Sequence, residues 1–260
     1  MRDPVAFGFY PENKNDLEKM VRNFIVKSEI KPLGAIVPHA GYIYSGSVAA
    51  AVLSQKTDKK NFIILGPNHT GNGLPIAVSY EDWSTPLGIV KTNKEFMKKL
   101  KNFIDEDAHR YEHSIEVNLP FLQILYKDFA IVPIAFQHVD YDLLEKFAEK
   151  IFDKESFYIA SSDFTHFGPA YGYEPVSENV VDWVKKTDEK LIKLICKLKA
   201  EDFYNTIIEN NYTVCGYIPI TLLMIIMKKI GAKGKLISYK TSYDVFPNSS
   251  FVGYAGIVFE

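Results

Sequence analysis

Three histidines of this chain follow apolar runs and enter loops rich in proline, glycine or serine. The runs are Ala35-Ile36-Val37-Pro38-His39, Ile63-Ile64-Leu65-Gly66-Pro67-Asn68-His69 and Tyr158-Ile159-Ala160-Ser161-Ser162-Asp163-Phe164-Thr165-His166. Such a run reads as a buried strand that delivers a histidine into a turn. Tight Pro/Gly loops suit a metal ligand, which needs a fixed direction, better than a mobile acid–base group. One histidine in such a place serves equally well as a hydrogen-bond partner that stabilises its loop. Their recurrence makes His39 and His69 candidate metal ligands.

Asp163 and His166 are close enough in a turn for the carboxylate to orient the imidazole and raise its basicity, which marks them as candidate acid–base residues. The alternative is an aspartate that caps the turn beside a packed histidine. Cys215 stands just before Gly216 and a predicted helix, where free amides and the helix dipole favour thiolate, a soft metal ligand. A small buried cysteine is the competing reading, and it fits Cys196 well. Glu112, His113 and Glu116 form a further polar cluster at a predicted helix start. They either support the metal ligands from behind, face a substrate, or make a capping network. His109 and His138 have no convergent partners in the sequence and read as structural or surface residues. Tyr42-Ile43-Tyr44 and Tyr171-Gly172-Tyr173 could wall a pocket, though packing is the default role of such tyrosines.

The elements that must position these residues alternate in kind. The spacing predicts strands over 33–37, 61–65, 76–80, 88–91, 129–135, 156–160, 236–241 and 251–259. Between them fall helices from Asn15-Asp16, from Ser45 or Ser47, around 96–104, from Ser114 to about Tyr126, after Asp140, from near Ser177, over 200–209 and over 219–230. Alternating strands and helices imply one α/β domain over 1–260, with a mainly parallel central sheet and helices on both faces. Ligands bind such sheets beyond the carboxyl ends of the strands. Because His39, His69, Asp163 and His166 all follow strands, all four belong on that edge.

Composition narrows the partners. With 260 residues, 47% of them hydrophobic, the chain can bury a full core. Its 30 basic and 32 acidic residues are dispersed, which argues against nucleic acid as a partner. Two cysteines make no secreted disulfide framework, Met1 to Lys19 has no apolar signal core, and Ile218 to Met227 is too short for a bilayer span. The expectation is a soluble cytoplasmic protein. The fingerprints of P-loop, dinucleotide-binding, α/β-hydrolase and zincin enzymes do not occur.

Together, Val37-Pro38-His39-Ala40-Gly41-Tyr42, Gly66-Pro67-Asn68-His69, Glu112-His113-Ser114-Ile115-Glu116-Val117, Ser161-Ser162-Asp163-Phe164-Thr165-His166 and Cys215-Gly216-Tyr217 resemble the Memo family, in family order. The resemblance extends from Phe9-Tyr10-Pro11 to Val252-Gly253-Tyr254. It implies a fold similar to the class III extradiol dioxygenases, in which two histidines and a glutamate hold Fe(II) and another histidine is the acid–base residue. Carried over, His39 and His69 would ligate metal and Cys215 would stand in the carboxylate's place. Asp163 and His166 would complete the pocket, His166 as acid–base group or additional ligand.

Thiolate in place of carboxylate shifts preference toward softer metals and removes the arrangement that leaves iron open to oxygen and catechol, which argues against ring opening. The resemblance therefore implies a redox protein using Fe(II) or copper. Zinc also accepts these donors and would support hydrolysis instead. A binding module that holds a peptide or small anion in the same cleft is a third reading. Memo relatives are associated with copper or iron, and animal members with motility signalling and phosphotyrosine-peptide binding. Prokaryotic members resemble parts of an AmmeMemoRadiSam set with Ammecr1-type and radical-SAM partners. This chain departs from the pattern at Ala6-Phe7-Gly8-Phe9-Tyr10 and at Ile218, which is expected to narrow the pocket.

Overall fold

The computed structural model describes residues 1–28 and 30–260. In chain order the elements are α1 (Lys14–Phe24), β1 (Gly34–Val37), α2 (Tyr42–Leu53), β2 (Asn61–Pro67), β3 (Ile76–Val78), β4 (Trp83–Thr85), β5 (Gly88–Thr92), α3 (Lys94–Met97), α4 (Leu119–Leu125), β6 (Ala130–Phe136), α5 (Tyr141–Ile151), β7 (Ser156–Ser161), β8 (His166–Phe167), α6 (Val180–Cys196), α7 (Ala200–Asn210), α8 (Tyr217–Ile230), β9 (Gly234–Thr241) and β10 (Phe251–Phe259). Among the described residues ten strands form one sheet in the order β4-β5-β6-β2-β7-β1-β10-β8, with β3 beside β6 and β9 beside β10. From β5 through β6, β2 and β7 to β1 every neighbour is parallel, while β10 runs antiparallel to β1, β8 and β9.

Alternation along the buried strands sorts side chains to the two faces. Ile36, Ile63, Leu65, Val132, Ile134, Tyr158 and Ala160 pack in the core beneath α5, α6, α7 and α8. Their sequence neighbours Ala35, Val37, Phe62, Ile64, Ile131, Phe157 and Ile159 pack with α1, α2 and α4 on the other face. Strands apolar at every position are what a sheet covered on both faces requires. Each fully buried aliphatic side chain contributes roughly 1.5–3 kcal/mol, which is why the polar residues of these strands collect at their ends.

Several boundaries differ from the expected ones for identifiable reasons. Helix α2 starts at Tyr42, straight after Gly41, and not from Ser45 or Ser47; the Ser45 hydroxyl instead donates to the carbonyl of Ala40. The segment expected to be a helix from Ser114 is a 3-10 turn over Glu116–Asn118, and α4 follows with Pro120 in its first turn, where a missing N–H does no harm. The expected helix over 96–104 is one turn of α-helix continued as a 3-10 helix, Lys98–Phe103. Helix α6 begins at Val180, later than Ser177, and α8 at Tyr217, ahead of Pro219. Ile218 is buried in the core under the sheet and does not narrow the pocket. Among the described residues no helix is long and apolar enough to cross a membrane.

Candidate metal centre

Strand register brings the loops together. Val37 on β1 is paired with Ser161 on β7, so the segments that leave the sheet at Pro38 and Ser162 run side by side. The Ser162 amide donates to the carbonyl of Val37 at 2.9 Å, and the His39 amide donates to Asp163 Oδ1 at 2.9 Å. Strand β2, parallel to β7, delivers His69 to the same edge. There the Asn68 side chain accepts from Thr70 and Gly71, and Gln137 Nε2 donates to the carbonyls of Gly71 and Gly73. The loop around His69 is thus held at both sides.

One donor atom each from His39, His69 and His113 lies within 4.8 Å of the others. Ring centroids are 5.2 Å apart for His39 and His69, and 4.9 Å for the stacked pair His69 and His113. His113, expected in a supporting role, is therefore a member of the cluster. Its ring also stacks on Phe9 at 4.3 Å.

The hydrogen bonds behind the rings fix their proton positions. The Ser161 hydroxyl donates its one proton to the carbonyl of Ser114 at 2.6 Å, so His39 Nδ1, 2.9 Å from that oxygen, must be the donor to it. His39 Nε2 then carries the lone pair. The burial of His39 lowers its pKa, against the opposing influence of Cys215, and favours the neutral, ligating form. His69 Nδ1 lies 3.0 Å from Glu112 Oε1, the carboxylate–histidine pairing that orients metal-binding imidazoles. Burial alone would depress the His69 pKa, but hydrogen bonds to Cys215 and Glu112 outweigh it and raise the value to about 10. The Glu112 carboxyl shows the reciprocal effect: burial raises it, the bonds and charge of His69 prevail, and it falls to about 2. His113 is lowered to about 4 by burial despite the nearby Glu112.

Cys215 Sγ is 3.4 Å from His39 Nε2, beside the three-histidine cluster. Burial raises its thiol, the interaction with His39 and the hydrogen bond of His69 overcome this, and the pKa comes down to about 7. The sulfur owes its place to Gly216: a Cβ there would come within 2.5 Å of the Ser161 carbonyl and Ser162 Cβ. The start of α8 can approach β7 so closely only without a side chain.

Asp163 and His166 take different parts from the expected orienting pair. The Asp163 carboxylate accepts the His39 amide, whereas His166 Nδ1 lies 2.9 Å from the carbonyls of both Phe164 and Thr213. Two acceptors require Nδ1 to carry the proton, leaving Nε2 as the acceptor of a ring that lines the cleft. Burial raises the Asp163 carboxyl above its ordinary value, although His166 and the His39 amide favour its charged form. Glu116 lies apart from the cleft. Its carboxylate accepts from Arg2, Val5, Ala6 and Tyr10.

The cleft has a volume of about 510 Å³ and is lined by His39, His69, His113 and His166 together with aromatic side chains, among them Phe9, Tyr44, Tyr171, Phe246 and Tyr254. The tyrosine-rich segments divide between lining and packing: Tyr44 and Tyr171 line it, while Tyr42 packs on Tyr10 and Phe121. Phe9 and Phe246 were missed by sequence reasoning, since nothing in a loop phenylalanine tells which surface it will wall. His109 is fully buried with Nε2 3.0 Å from the Ala77 carbonyl, and His138 is exposed beside Tyr217, neither of them in the cleft lining.

Fold and site together define an α/β protein that gathers imidazoles in a cleft at the carboxyl edge of a parallel sheet, with donors suited to a metal ion. The chain belongs to the Memo family: the family described as Memo-like protein matches residues 2–258. It is 42% identical to a MEMO1 family protein of Archaeoglobus fulgidus, over 100% of this chain and 99% of the relative. The corresponding identity is 39% to a MEMO1 family protein of Methanosarcina barkeri, over 100% of both chains. For a MEMO1 family protein of Aquifex aeolicus it is 36%, over 100% of this chain and 99% of the relative.

Proposed function

We propose that this Memo-family protein is a metal-dependent redox protein holding iron or copper at His39 and His69, with Cys215 and His113 as the further donors available. The observation that supports it most is the convergence of three imidazoles within 4.8 Å, two of them fixed from behind by Ser161 and Glu112. The donors fit such a metal chemically: imidazole suits iron and copper, and a thiolate beside it favours the softer, copper(I) state. When bound, the metal would supply one-electron chemistry to a small molecule in the cleft.

The chain's own part is positioning and proton handling. His166, with Nδ1–H committed to two carbonyls, presents Nε2 as a base, and Asp163 contributes by holding the His39 amide. Phe9, Tyr44, Tyr171, Phe246 and Tyr254 offer apolar surface against which a ligand in the cleft can pack. The expected Ammecr1-type and radical-SAM partners belong to the same proposal and are read by co-purification.

The test is metal analysis of protein purified without oxygen, for wild type and for His39→Ala, His69→Ala, His113→Ala and Cys215→Ala. Iron or copper near one per chain, lost in the His39 and His69 variants, is the expected result. Zinc alone, with no oxygen consumption on adding reductant, would overturn the redox reading in favour of hydrolysis. Ligand binding undiminished in the His39→Ala/His69→Ala protein would favour a binding module.

A further inference from the structure

The turn that carries Glu112 and His113 has little regular structure of its own: it precedes the 3-10 turn of Glu116–Asn118 and follows irregular backbone. The first ten residues hold it from outside. The Arg2 guanidinium spans the whole turn, with Nε donating to the carbonyl of His109 at 2.7 Å, Nη2 to the carbonyl of Glu112 at 2.5 Å and Nη1 to Glu116 Oε2 at 2.6 Å. Both charged side chains are buried, Arg2 at 4% and Glu116 at 0% exposure. Arg2 is itself held, its Cζ 3.9 Å above the Trp83 ring, its amide donating to Asp82 and its carbonyl accepting from Ser84. Glu116 in turn binds the amides of Val5 and Ala6 and the hydroxyl of Tyr10. Three residues further on from Ala6, Phe9 lies against the His113 ring.

A buried ion pair contributes little net stability over apolar side chains of like size, because desolvation consumes most of the attraction. It does impose geometry. A planar fork with five N–H donors can meet three acceptors around one turn, which an ammonium on a flexible stem cannot. The clamped turn carries two of the cluster's determinants, the carboxylate that orients His69 and the His113 ring.

We propose that the N-terminal arm is a positioning element of the metal centre, in which Arg2, through Glu116 and the carbonyls of His109 and Glu112, sets the direction of the His69 and His113 imidazoles while Phe9 fixes the His113 ring plane. This rests on the metal-binding reading above. Arg2 touches no donor atom of the cluster and acts only through the turn. Its influence on the metal is therefore separable from that of the ligands.

The experiment titrates the full chain with Co(II) as probe, reading affinity by chelator competition and ligand geometry by the visible absorption of the bound ion. The variants are Arg2→Met/Glu116→Gln, which leaves no unpaired buried charge, Arg2→Lys, and Phe9→Leu; Phe103→Leu, on the opposite face of the sheet, is the control for general destabilisation. Affinity is expected to fall about 10- to 100-fold with an altered spectrum in the double variant. Arg2→Lys should restore only part of it, and Phe9→Leu should change the spectrum. Phe103→Leu should lose stability with affinity intact. Unchanged affinity and spectrum in both the double variant and Phe9→Leu would overturn the inference, and Phe9→Leu alone decides if the double variant does not fold. If wild type takes up no Co(II), the metal-binding reading fails. The positioning inference is then read from the ring 1H–15N correlations of His69 and His113 in metal-free protein, which should move in the variants and would overturn it by staying fixed.

Discussion

Glu112 grips His69 twice, through Oε1 at 3.0 Å from the ring Nδ1 and through Oε2, which accepts the His69 backbone amide at 2.5 Å. The same carboxylate takes the Ser114 amide at 2.8 Å, so ring, loop and turn share one anchor. Replacing the charged anchor by an amide keeps its size and removes its charge. Glu112→Gln is expected to weaken metal binding about 10- to 100-fold with the fold retained, read by chelator competition and circular dichroism. Undiminished affinity would mean that Glu112 holds the loop without tuning the ligand.

Cys215 and Cys196 should separate by reactivity. With His39 and His69 bringing the Cys215 thiol down to about 7 and burial pushing Cys196 up, alkylation of metal-free protein should modify Cys215 first. Its rate should rise through about pH 7. Peptide mass mapping after short exposure to iodoacetamide at a series of pH values checks this, and equal labelling of the two cysteines would contradict it.

Gly216→Ala should both destabilise the protein and disturb the centre. The added methyl meets backbone on β7, which cannot move aside as a side chain would. A loss of about 1–3 kcal/mol is expected from urea unfolding. The altered start of α8 should also change Cys215 alkylation, whereas a loss of stability alone would mean that α8 shifts without carrying the sulfur.

Stability should carry the signature of Asp188, a buried carboxyl on α6 that accepts from the Thr165 hydroxyl at 2.5 Å and from Tyr239 at 2.7 Å. Burial raises it to about 6, against the hydrogen bonds of Thr165 and Tyr239. A carboxyl raised in the folded state binds its proton more tightly there than in the unfolded chain. Its contribution is thus complete below the unfolded value near 4 and is lost as pH rises through about 6. Asp188→Asn removes this dependence, so its stability relative to wild type should increase between pH 4 and pH 7 by roughly 3 kcal/mol. Urea midpoints of both proteins across that range check it, and parallel curves would rule it out.

Much of the plan was legible in the residues themselves. Short runs such as Phe62-Ile63-Ile64-Leu65, apolar at every position and bounded by turn residues, read as strands covered on both faces, and chain order alone put His39, His69 and Asp163 beyond their carboxyl ends. Less legible was Glu112-His113-Ser114-Ile115-Glu116, which reads as one polar cluster at a helix start. In the folded chain the segment is an irregular turn and a 3-10 turn, and it parts these residues: His113 enters the histidine cluster, while Glu116 faces the N-terminal arm. Local periodicity has no hold on a segment whose shape comes from distant donors.

The sequence by itself determined which edge of the sheet the candidate residues His39, His69 and Asp163 must occupy, because strand patterning and chain order are local properties. Only the tertiary structure decided the rest. It made His113 a third imidazole, turned Asp163 to the His39 amide and away from orienting His166, and set Cys215 Sγ 3.4 Å from His39 Nε2. It also brought Arg2 across 114 residues of chain to Glu116. These are contacts between segments far apart in the chain, fixed by parallel register, by the close approach at Gly216 and by the need of buried charges for partners.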